Sequence, residues 1–270
     1  MLRRAKPYLG TLVEIGCVVN NADEGGEGCI RASEAGFSAV ARIHQQMSRH
    51  VASSELSLLN AIPPGVWFSI SSALLQVLQF SQKIAKQTQG LFDIFRTGQP
   101  AIDGPGAQPF AAKGCWRDFD VDAGNCRVRK TAAIHADLDG VAKGYAVDCA
   151  VAALQKAGAS RGWVNAGGDM RVFGELSLPV RIRAPWDLST TVACTALENN
   201  SVATSASYLQ AEPVLRNAST GLRLKQNYSW TVMAPNCMAA DALTKIVAAS
   251  NNPFHPVLAH YGARAWIFKP

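Results

Sequence analysis

The segment 136–148 carries the residue types of an anion-binding turn. The alternating residues at its start predict a strand, and the apolar spacing after it predicts a helix. The first turn of a helix presents free backbone N–H groups and a positive dipole, and Gly140 and Gly144 would let an anion reach that backbone. Lys143 adds a positive charge between them. The pattern therefore favours a phosphate site, although the same residue types also occur in a plain turn with a solvated lysine.

A second glycine-rich segment, 163–174, follows that helix. Its apolar runs flank Gly167 and Gly168, so it predicts a strand, a tight turn and a second strand. By itself this is typical of an ordinary hairpin in which Asp169 stabilises the turn. Two glycine-rich segments in succession strengthen the interpretation that the two segments together bind phosphate.

The composition limits the classes of function. The chain has 270 residues and a formal net charge of +6, and a chain of this length can bury roughly three quarters of its unfolded surface. Its basic residues are scattered, so nucleic acid is not an expected partner. No run is long and apolar enough to predict a membrane span. We expect a cytoplasmic protein, or a periplasmic one if a targeting segment has been removed.

Other reactive residues carry weaker signals. The seven cysteines form no CxxC pair and no Cys/His cluster with zinc-ligand spacing, so we expect most of them to be reduced and buried. No histidine accompanies a nucleophile motif, which argues against a catalytic triad. Glu55 lies among three serines and is expected at a helix start rather than as an acid or base.

The elements that must position these residues follow from periodicity. Helices are expected at 32–47, 71–88, 141–154 and 239–249, with a short turn at 53–60. Strands are expected at 11–19, 134–138, both sides of the glycine turn in 163–174, 180–183, 190–194, 201–203, 229–233 and 263–268. The Gly/Pro-rich stretch 96–113 is expected to be a loop. Because helices and strands do not alternate strictly, the order predicts an α+β fold with mixed sheets.

Several motifs together carry a resemblance. They are, in chain order, Leu9-Gly10-Thr11; Met47-Ser48 with 54–60; Gly90-Leu91-Phe92-Asp93; the segment 136–148; Asn165-Ala166-Gly167-Gly168-Asp169; Ala203-Thr204-Ser205; and Ala240-Asp241-Ala242-Leu243-Thr244. In this order they resemble the ApbE-type flavin transferase family over nearly the whole chain. The ordered set is far more specific than any one motif.

The resemblance implies both a fold and an activity. The fold would be α+β, with mixed, largely antiparallel sheets and packed helices, in an ApbE-like architecture related to the T-fold. It would form one domain over 1–270 or two fused α+β subdomains. The activity would be that of a FAD:protein FMN transferase, which binds FAD with Mg²⁺, moves FMN onto a threonine hydroxyl of an acceptor flavoprotein and releases AMP. Breaking a pyrophosphate requires its developing charge to be neutralised, which Mg²⁺ can do.

By the same resemblance, Asp241 and Lys143 would be catalytic, and Asp241, Thr244 and the backbone at Ala142 would hold the metal. Positions three apart on a helix share a face, so Asp241 and Thr244 could reach one ion. Many relatives carry the hydroxyl four residues after the aspartate, where this chain has Lys245. Either Thr244 serves, or the Lys245 ammonium takes the place of the cation. The plain alternative is a surface ion pair between Asp241 and Lys245.

The resemblance also implies FAD-binding residues in four parts of the chain. They are Met47 and His50 against the flavin ring; Asp137, Gly140, Lys143 and Gly144 in the anion-binding segment; Asn165, Ala166, Gly167, Gly168 and Asp169 around the nucleotide; and Thr204 and Ser205 in the pocket wall. Met47 could instead be a core residue, because it falls on the apolar face of its helix. His50 would stack on the ring or be solvated.

Three further departures from the family pattern bear on activity. Asp139 stands where relatives often have glycine, and its charge would repel phosphate unless it points away or helps to bind metal. The segment 214–221, which begins at Val214, lacks a histidine that relatives often show, so a candidate general base is missing. Ser207 replaces a common aspartate. The alternatives to a working transferase are a weakened FAD-binding paralogue and an enzyme that hydrolyses FAD to FMN and AMP.

Overall fold

The computed structural model describes residues 1–20, 26–96, 114–206 and 227–270, without the side chains of Arg96 and Leu188. In these ranges the strands, numbered β1 to β14 in chain order, are Leu2–Tyr8, Thr11–Val19, Trp67–Ser69, Phe95–Arg96, Phe119–Asp122, Arg127–Lys130, His135–Ala136, Ala159–Ala166, Asp169–Phe173, Ser177–Ala184, Asp187–Glu198, Ser201–Ala206, Ser229–Ala234 and Arg264–Phe268. The helices of the same ranges, α1 to α6, are Glu27–Met47, Glu55–Ala61, Ser72–Gln87, Ala142–Lys156, Cys237–Ser250 and Val257–His260.

Within the described part of the chain, the main sheet has seven antiparallel strands in the order β1-β2-β8-β9-β12-β13-β14. The hairpin β8–β9 turns through Gly167 and Gly168, which both have positive φ. This is the backbone that a two-residue turn between twisted strands requires, and glycine adopts it without strain. The turn therefore brings Asp169 directly opposite Ala166, at the start of β9.

Three helices pack on this sheet. Helix α4 lies between α1 and α5, with α1 on β2, α4 on β8 and β9, and α5 on β12 and β13. Helix α1 buries one apolar face that includes Phe37, Val40 and Ile43. Helix α4 is flanked on both sides, and its buried residues include the small Gly144, Ala146 and Ala150. Small side chains let the neighbouring helices come close to it.

The buried apolar residues form two large clusters. One fills the space between β2, β8, α1 and α4 and includes Ile15, Val164 and Leu154. The other surrounds α5 and α3 and extends to the smaller sheets, with Leu243 and Leu78 among its members. The number of subdomains in the chain stays a prediction.

Two smaller features fix the chain just before the anion-binding segment. The Asn60 side chain accepts from the Ala136 backbone N–H at 2.8 Å and donates to the Ala136 carbonyl at 2.9 Å, so it pairs with β7 as a strand would. The Glu55 carboxylate accepts from the backbone and the hydroxyl of Ser71, the N-cap of α3. Glu55 thus lies at a helix start, as the sequence predicts, and links two helix starts.

The α+β fold and the long helices predicted from the sequence are confirmed. Strand β1 was not predicted, because its basic residues mask the alternation of an edge strand. The expectation that most cysteines are buried was wrong. Of the seven cysteines, all of which lie in the described ranges, only Cys17, Cys29 and Cys237 are buried, and Cys194 is exposed on the hairpin β10–β11, outside the main sheet.

Three sequence predictions lie on residues that the structure does not describe. The expected loop at 96–113 lies outside the described residues except for residue 96, and Ser207 and the segment 214–221 also lie outside them. In the described ranges, no helix combines the length and the apolar character needed to cross a membrane.

Candidate functional site

The start of α4 packs directly against α5 at Gly144. The Gly144 N–H donates to Oδ2 of Asp241 at 3.1 Å. A Cβ atom at this position would lie 2.3 Å from the Cys237 carbonyl oxygen and 2.9 Å from the Asp241 Cβ, so no larger residue fits without moving the helices apart. The glycine that the sequence assigns to anion approach therefore serves the close contact between two helices, and it places the Asp241 carboxylate beside the anion-binding segment.

The first turn of α5 is held by a residue whose role the sequence did not indicate. The carboxylate of Asp148 accepts from the backbone N–H of Cys237 at 3.0 Å and of Met238 at 2.9 Å. Arg171 donates to the same carboxylate at 2.7 Å. Asn236 caps the helix by accepting from Ala239 N–H at 2.8 Å. These bonds satisfy free N–H groups at the helix start and fix the direction of α5 relative to α4.

Asp241 is the centre of a buried polar network. Its side chain is fully buried, and its Oδ1 pairs with the Nζ of Lys245. The Lys245 ammonium also donates to the Asp241 carbonyl at 3.1 Å. Thr244 donates its hydroxyl to that same carbonyl at 2.7 Å and lies 2.7 Å from the Ser205 hydroxyl. The pairing expected as a surface contact is therefore present, but it is buried.

A second ion pair joins α4 to the β8–β9 hairpin. Nζ of Lys143 lies 2.5 Å from Oδ2 of Asp169. Asp169 is buried, whereas about a third of the Lys143 side chain is exposed. The aspartate that the sequence assigns to an ordinary turn thus holds the lysine of the anion-binding segment from a point 26 residues away.

Together, Lys143, Asp169, Asp241 and Lys245 form a cluster of alternating charge. Burial by itself would raise the pKa of Asp241, but Lys245, Lys143 and the Gly144 N–H together hold that pKa below its usual value. Burial by itself would lower the pKa of Lys143, but the carboxylates of Asp169 and Asp241 raise it. Burial and the Asp241 charge raise the pKa of Asp169, against the opposing effect of Lys143. The cluster therefore favours the charged state of Lys143 at neutral pH.

The expected magnesium site can be tested against these contacts. Mg²⁺ prefers six oxygen ligands in a near-octahedral arrangement. Both carboxylate oxygens of Asp241 are taken, one by the Lys245 ammonium and one by the Gly144 N–H, and the Thr244 hydroxyl is engaged on two sides. Across the described ranges, no group of three or more His, Cys, Asp or Glu side chains is placed to hold a metal ion. These residues, as arranged, do not fit Mg²⁺.

The residues of the β8–β9 hairpin make local contacts. The Asn165 side chain accepts from the Gly168 N–H at 2.9 Å and donates to Glu14 at 3.2 Å. A Cβ atom at Gly167 would lie 2.6 Å from the Thr11 hydroxyl, so the turn lies against the Leu9-Gly10-Thr11 motif. Gly167 and Gly168 are exposed and Ala166 is buried. Two motifs far apart in sequence therefore meet at one end of the main sheet.

The outer rim of the site contains Asp139, one of the residues that depart from the expected family pattern. Asp139 pairs with Arg49 at 3.0 Å, and its backbone N–H donates to Asp137 at 3.0 Å. Partial desolvation and the Asp137 carboxylate raise the pKa of Asp139, which Arg49 and the neighbouring His50 oppose. No sequence pattern indicated Arg49, which lies 90 residues before its partner. Asp139 is thus balanced by a cation from the end of α1.

The remaining predicted residues divide between core and site. Met47 is buried in the cluster around α5 and α3, which confirms the alternative prediction that it is a core residue. His50 is exposed on the rim. Ser205 reaches Thr244 in the buried network. Thr204 instead lies 2.9 Å from the Thr231 hydroxyl on the adjacent strand. Gly140 packs near the Lys245 side chain, since a Cβ there would lie 3.4 Å from its Cε.

The chain is similar to proteins of one known family. The model of the ApbE family matches residues 9–254. The FAD:protein FMN transferase of Chlamydia pneumoniae is 26% identical over 226 residues, which cover 72% of this chain and 68% of that protein. The FAD:protein FMN transferase of Rhodobacter capsulatus is 27% identical over 79% of this chain, and the match spans 46% of that longer protein.

Solved structures show the same fold. The ApbE protein of Thermotoga maritima superimposes with a TM-score of 0.80 at 23% identity, covering 98% of this chain and 93% of its own. The flavinyl transferase ApbE of Pseudomonas stutzeri gives a TM-score of 0.76 at 19% identity, covering 92% and 84%. Because the family model matches residues 9–254, which is nearly the whole chain, this protein belongs to the ApbE family.

Proposed function

We propose that this protein is a FAD:protein FMN transferase, which moves FMN from FAD onto a threonine hydroxyl of an acceptor flavoprotein and releases AMP. The observation that carries the proposal is the convergence of Lys143, Asp169, Asp241 and Lys245 where the family's motifs meet. The names of the curated relatives support the same activity. A threonine-bearing acceptor and FAD are the partners that this reaction requires.

The charged cluster is suited to the chemistry of a pyrophosphate. Negative charge develops on the phosphate oxygens as the anhydride bond breaks, and fixed positive groups in a site with little water stabilise it. Lys143 and Lys245 supply such groups, and their ion pairs with Asp169 and Asp241 orient them. Each lysine side chain is partly exposed, while the paired aspartates are buried beneath them. The two aspartates therefore hold two phosphate-binding ammonium groups in position.

The transfer itself exchanges one phosphorus–oxygen bond for another. The threonine hydroxyl oxygen bonds to the phosphorus of the FMN half, and the bond from that phosphorus to the bridging oxygen breaks. AMP leaves with the bonding electrons, and the hydroxyl proton passes to solvent. Because we assign no general base among the described residues, we expect the rate to depend mainly on holding the two oxygens in line.

The other family-derived residues complete the proposed FAD site. The exposed turn at Gly167 and Gly168, with Asn165 behind it, would shape the nucleotide pocket. His50 and the Asp137–Asp139 loop lie on the rim, where the flavin would enter. The Mg²⁺ ion that the resemblance implies is not part of this proposal, because the contacts of Asp241 and Thr244 do not fit it.

The proposal is tested with purified protein, FAD and a flavoprotein domain that carries a target threonine. We expect covalent fluorescence on the acceptor, an increase in its mass by one FMN, and AMP in equal amount. The Asp241→Asn variant should lose this activity, and an acceptor with alanine in place of the threonine should stay unlabelled. Absence of both labelled acceptor and AMP would contradict the proposal.

Chromatography of bound and released nucleotides distinguishes the alternatives in the same experiment. A weakened FAD-binding paralogue would retain intact FAD and release nothing. A FAD hydrolase would release FMN and AMP without an acceptor. Either outcome would replace the transferase proposal with a specific other activity.

A further inference from the structure

We propose that Lys245 takes the place of a divalent metal ion in this protein, so that its FAD site binds the pyrophosphate without metal. The binding part of this inference stands on the described contacts. The part that concerns turnover rests on the proposed function.

The first argument is the occupancy of the ligand atoms. The Lys245 ammonium bonds Oδ1 and the backbone carbonyl of Asp241, the two Asp241 oxygens on that side of the helix. The Gly144 N–H takes the other carboxylate oxygen at 3.1 Å. Thr244, the second expected ligand, donates a hydrogen bond from its hydroxyl to the Asp241 carbonyl, and its hydroxyl is also hydrogen-bonded to that of Ser205. A metal ion would have to displace several buried hydrogen bonds at once.

The second argument is the environment of the lysine side chain. Its aliphatic stem lies beside Gly140, since a Cβ atom there would lie 3.4 Å from the Lys245 Cε and 3.7 Å from its Cγ, which is ordinary contact. Only about a fifth of the side chain is exposed. An ammonium group has three N–H donors, and two of them are used on Asp241. The third is left to donate to an anion, in our proposal a pyrophosphate oxygen.

The third argument is the charge balance. The cluster contains the carboxylates of Asp169 and Asp241 and the ammonium groups of Lys143 and Lys245, and the formal charges cancel. Adding a divalent cation would place two further positive charges beside two existing ones, which like-charge repulsion disfavours. An incoming pyrophosphate, by contrast, meets two positive groups whose counterions are buried behind them. The cluster is therefore complete without a metal and is matched to an anion.

Metal binding is the direct test, and it does not depend on activity. Mn²⁺ is titrated into the protein without FAD, and bound Mn²⁺ is followed by electron paramagnetic resonance. We expect no saturable site in the wild-type protein up to millimolar Mn²⁺. The Lys245→Thr variant frees Oδ1 of Asp241, leaves Thr244 as the remaining donor to the Asp241 carbonyl and adds a hydroxyl. We therefore expect it to gain a saturable site with a Kd at least tenfold below the highest Mn²⁺ concentration used. Lys156→Thr, which changes an exposed lysine on α4, is the control and should gain none.

A saturable site in the wild-type protein that Lys245→Thr does not strengthen would overturn the proposal. FAD affinity gives a second measurement, for which the wild-type protein suffices if the variant does not fold. In the presence of EDTA, the wild-type Kd for FAD should stay within twofold of its value in Mg²⁺. A tenfold loss in EDTA would contradict the proposal.

The turnover assay separates this inference from the proposed function. FMN transfer by the wild-type protein should continue in EDTA, and Lys245→Thr should regain transfer only when Mg²⁺ is added. Transfer by the wild-type protein only in Mg²⁺ would overturn the metal-free inference and leave the transferase proposal intact. No transfer under any condition, with wild-type FAD affinity unaffected by EDTA, would overturn the transferase proposal alone.

Discussion

Two ion pairs near the site have similar chemistry and very different surroundings. Asp241 and Lys245 pair inside the molecule, with side chains that are 0% and 20% exposed. Arg49 and Asp139 pair on the rim, with side chains that are 48% and 60% exposed. The inner pair is joined to Gly144, Thr244 and Ser205 by further hydrogen bonds, whereas the rim pair lies largely in water.

The difference shows which part of the site can vary without loss of the fold. A buried charge that loses its partner retains the full cost of desolvation, so the inner pair can only change as a unit. An exposed pair gains little from its contact and is screened by salt. We interpret the inner pair as a part of the site that tolerates little substitution, and the rim pair as a part that can change at little cost in stability.

The largest effect is expected from Asp241→Asn, which leaves the Lys245 ammonium buried beside a neutral amide. We expect the free energy of unfolding to fall by about 3–5 kcal/mol, measured by urea denaturation at pH 7. The matched rim variant, Asp139→Asn, should change it by less than about 1 kcal/mol. Equal losses from the two variants would show that burial does not distinguish the pairs.

A smaller loss is expected from Gly144→Ala, which tests the helix contact beneath the inner pair. The added Cβ would lie 2.3 Å from the Cys237 carbonyl oxygen. This is a backbone atom, so no change of side-chain rotamer can relieve the clash. We expect a loss of roughly 1–3 kcal/mol, as for other overpacked sites. Gly124→Ala is the control, since its nearest neighbour would be the Asp122 side chain at 3.8 Å. An unchanged unfolding midpoint in Gly144→Ala would mean that α4 and α5 separate easily.

The inner pair should also make part of the free energy of unfolding depend on pH in the acid range. The folded-state pKa of Asp241 is lowered from its ordinary value of 3.8, so its stabilisation is present above that pH and is lost as the pH falls through the folded pKa. The folded-state pKa of Asp169 is raised, so the ionisation of this residue lowers the stability of the fold as the pH rises above 3.8. We therefore expect the wild-type protein to lose more stability than Asp241→Asn between pH 5 and pH 2. Urea unfolding across that range measures the difference, and parallel curves would contradict it.

The smallest effect is expected at the rim. Removing the Asp139 charge lowers the repulsion of a phosphate, so Asp139→Asn should tighten FAD binding by about threefold at low salt. The gain should shrink at 0.5 M NaCl, because exposed charges are screened. Fluorescence titration with FAD measures both values. Weaker binding in Asp139→Asn would instead indicate that the carboxylate itself contacts the ligand.

Much of the fold could be predicted because it depends on local rules. The apolar spacing of α1 and α3 marks their buried faces, and the glycine pair at 167–168 marks a two-residue turn. The short strands of the smaller sheets were harder. Strand β7 was predicted over 134–138 but has only two residues, and no local pattern predicts the Asn60 side chain that pairs with it.

The sequence by itself determined the helix that follows Gly140, the hairpin turn and the helix that carries Asp241, since each follows from neighbouring residues. It also placed Lys245 within reach of Asp241, because residues four apart share a helix face. Only the tertiary structure decided that this pair is buried, that Lys143 pairs with Asp169, and that Arg49 balances Asp139. Burial and long-range pairing depend on how helices and strands pack against each other, and packing joins residues that no local sequence pattern relates.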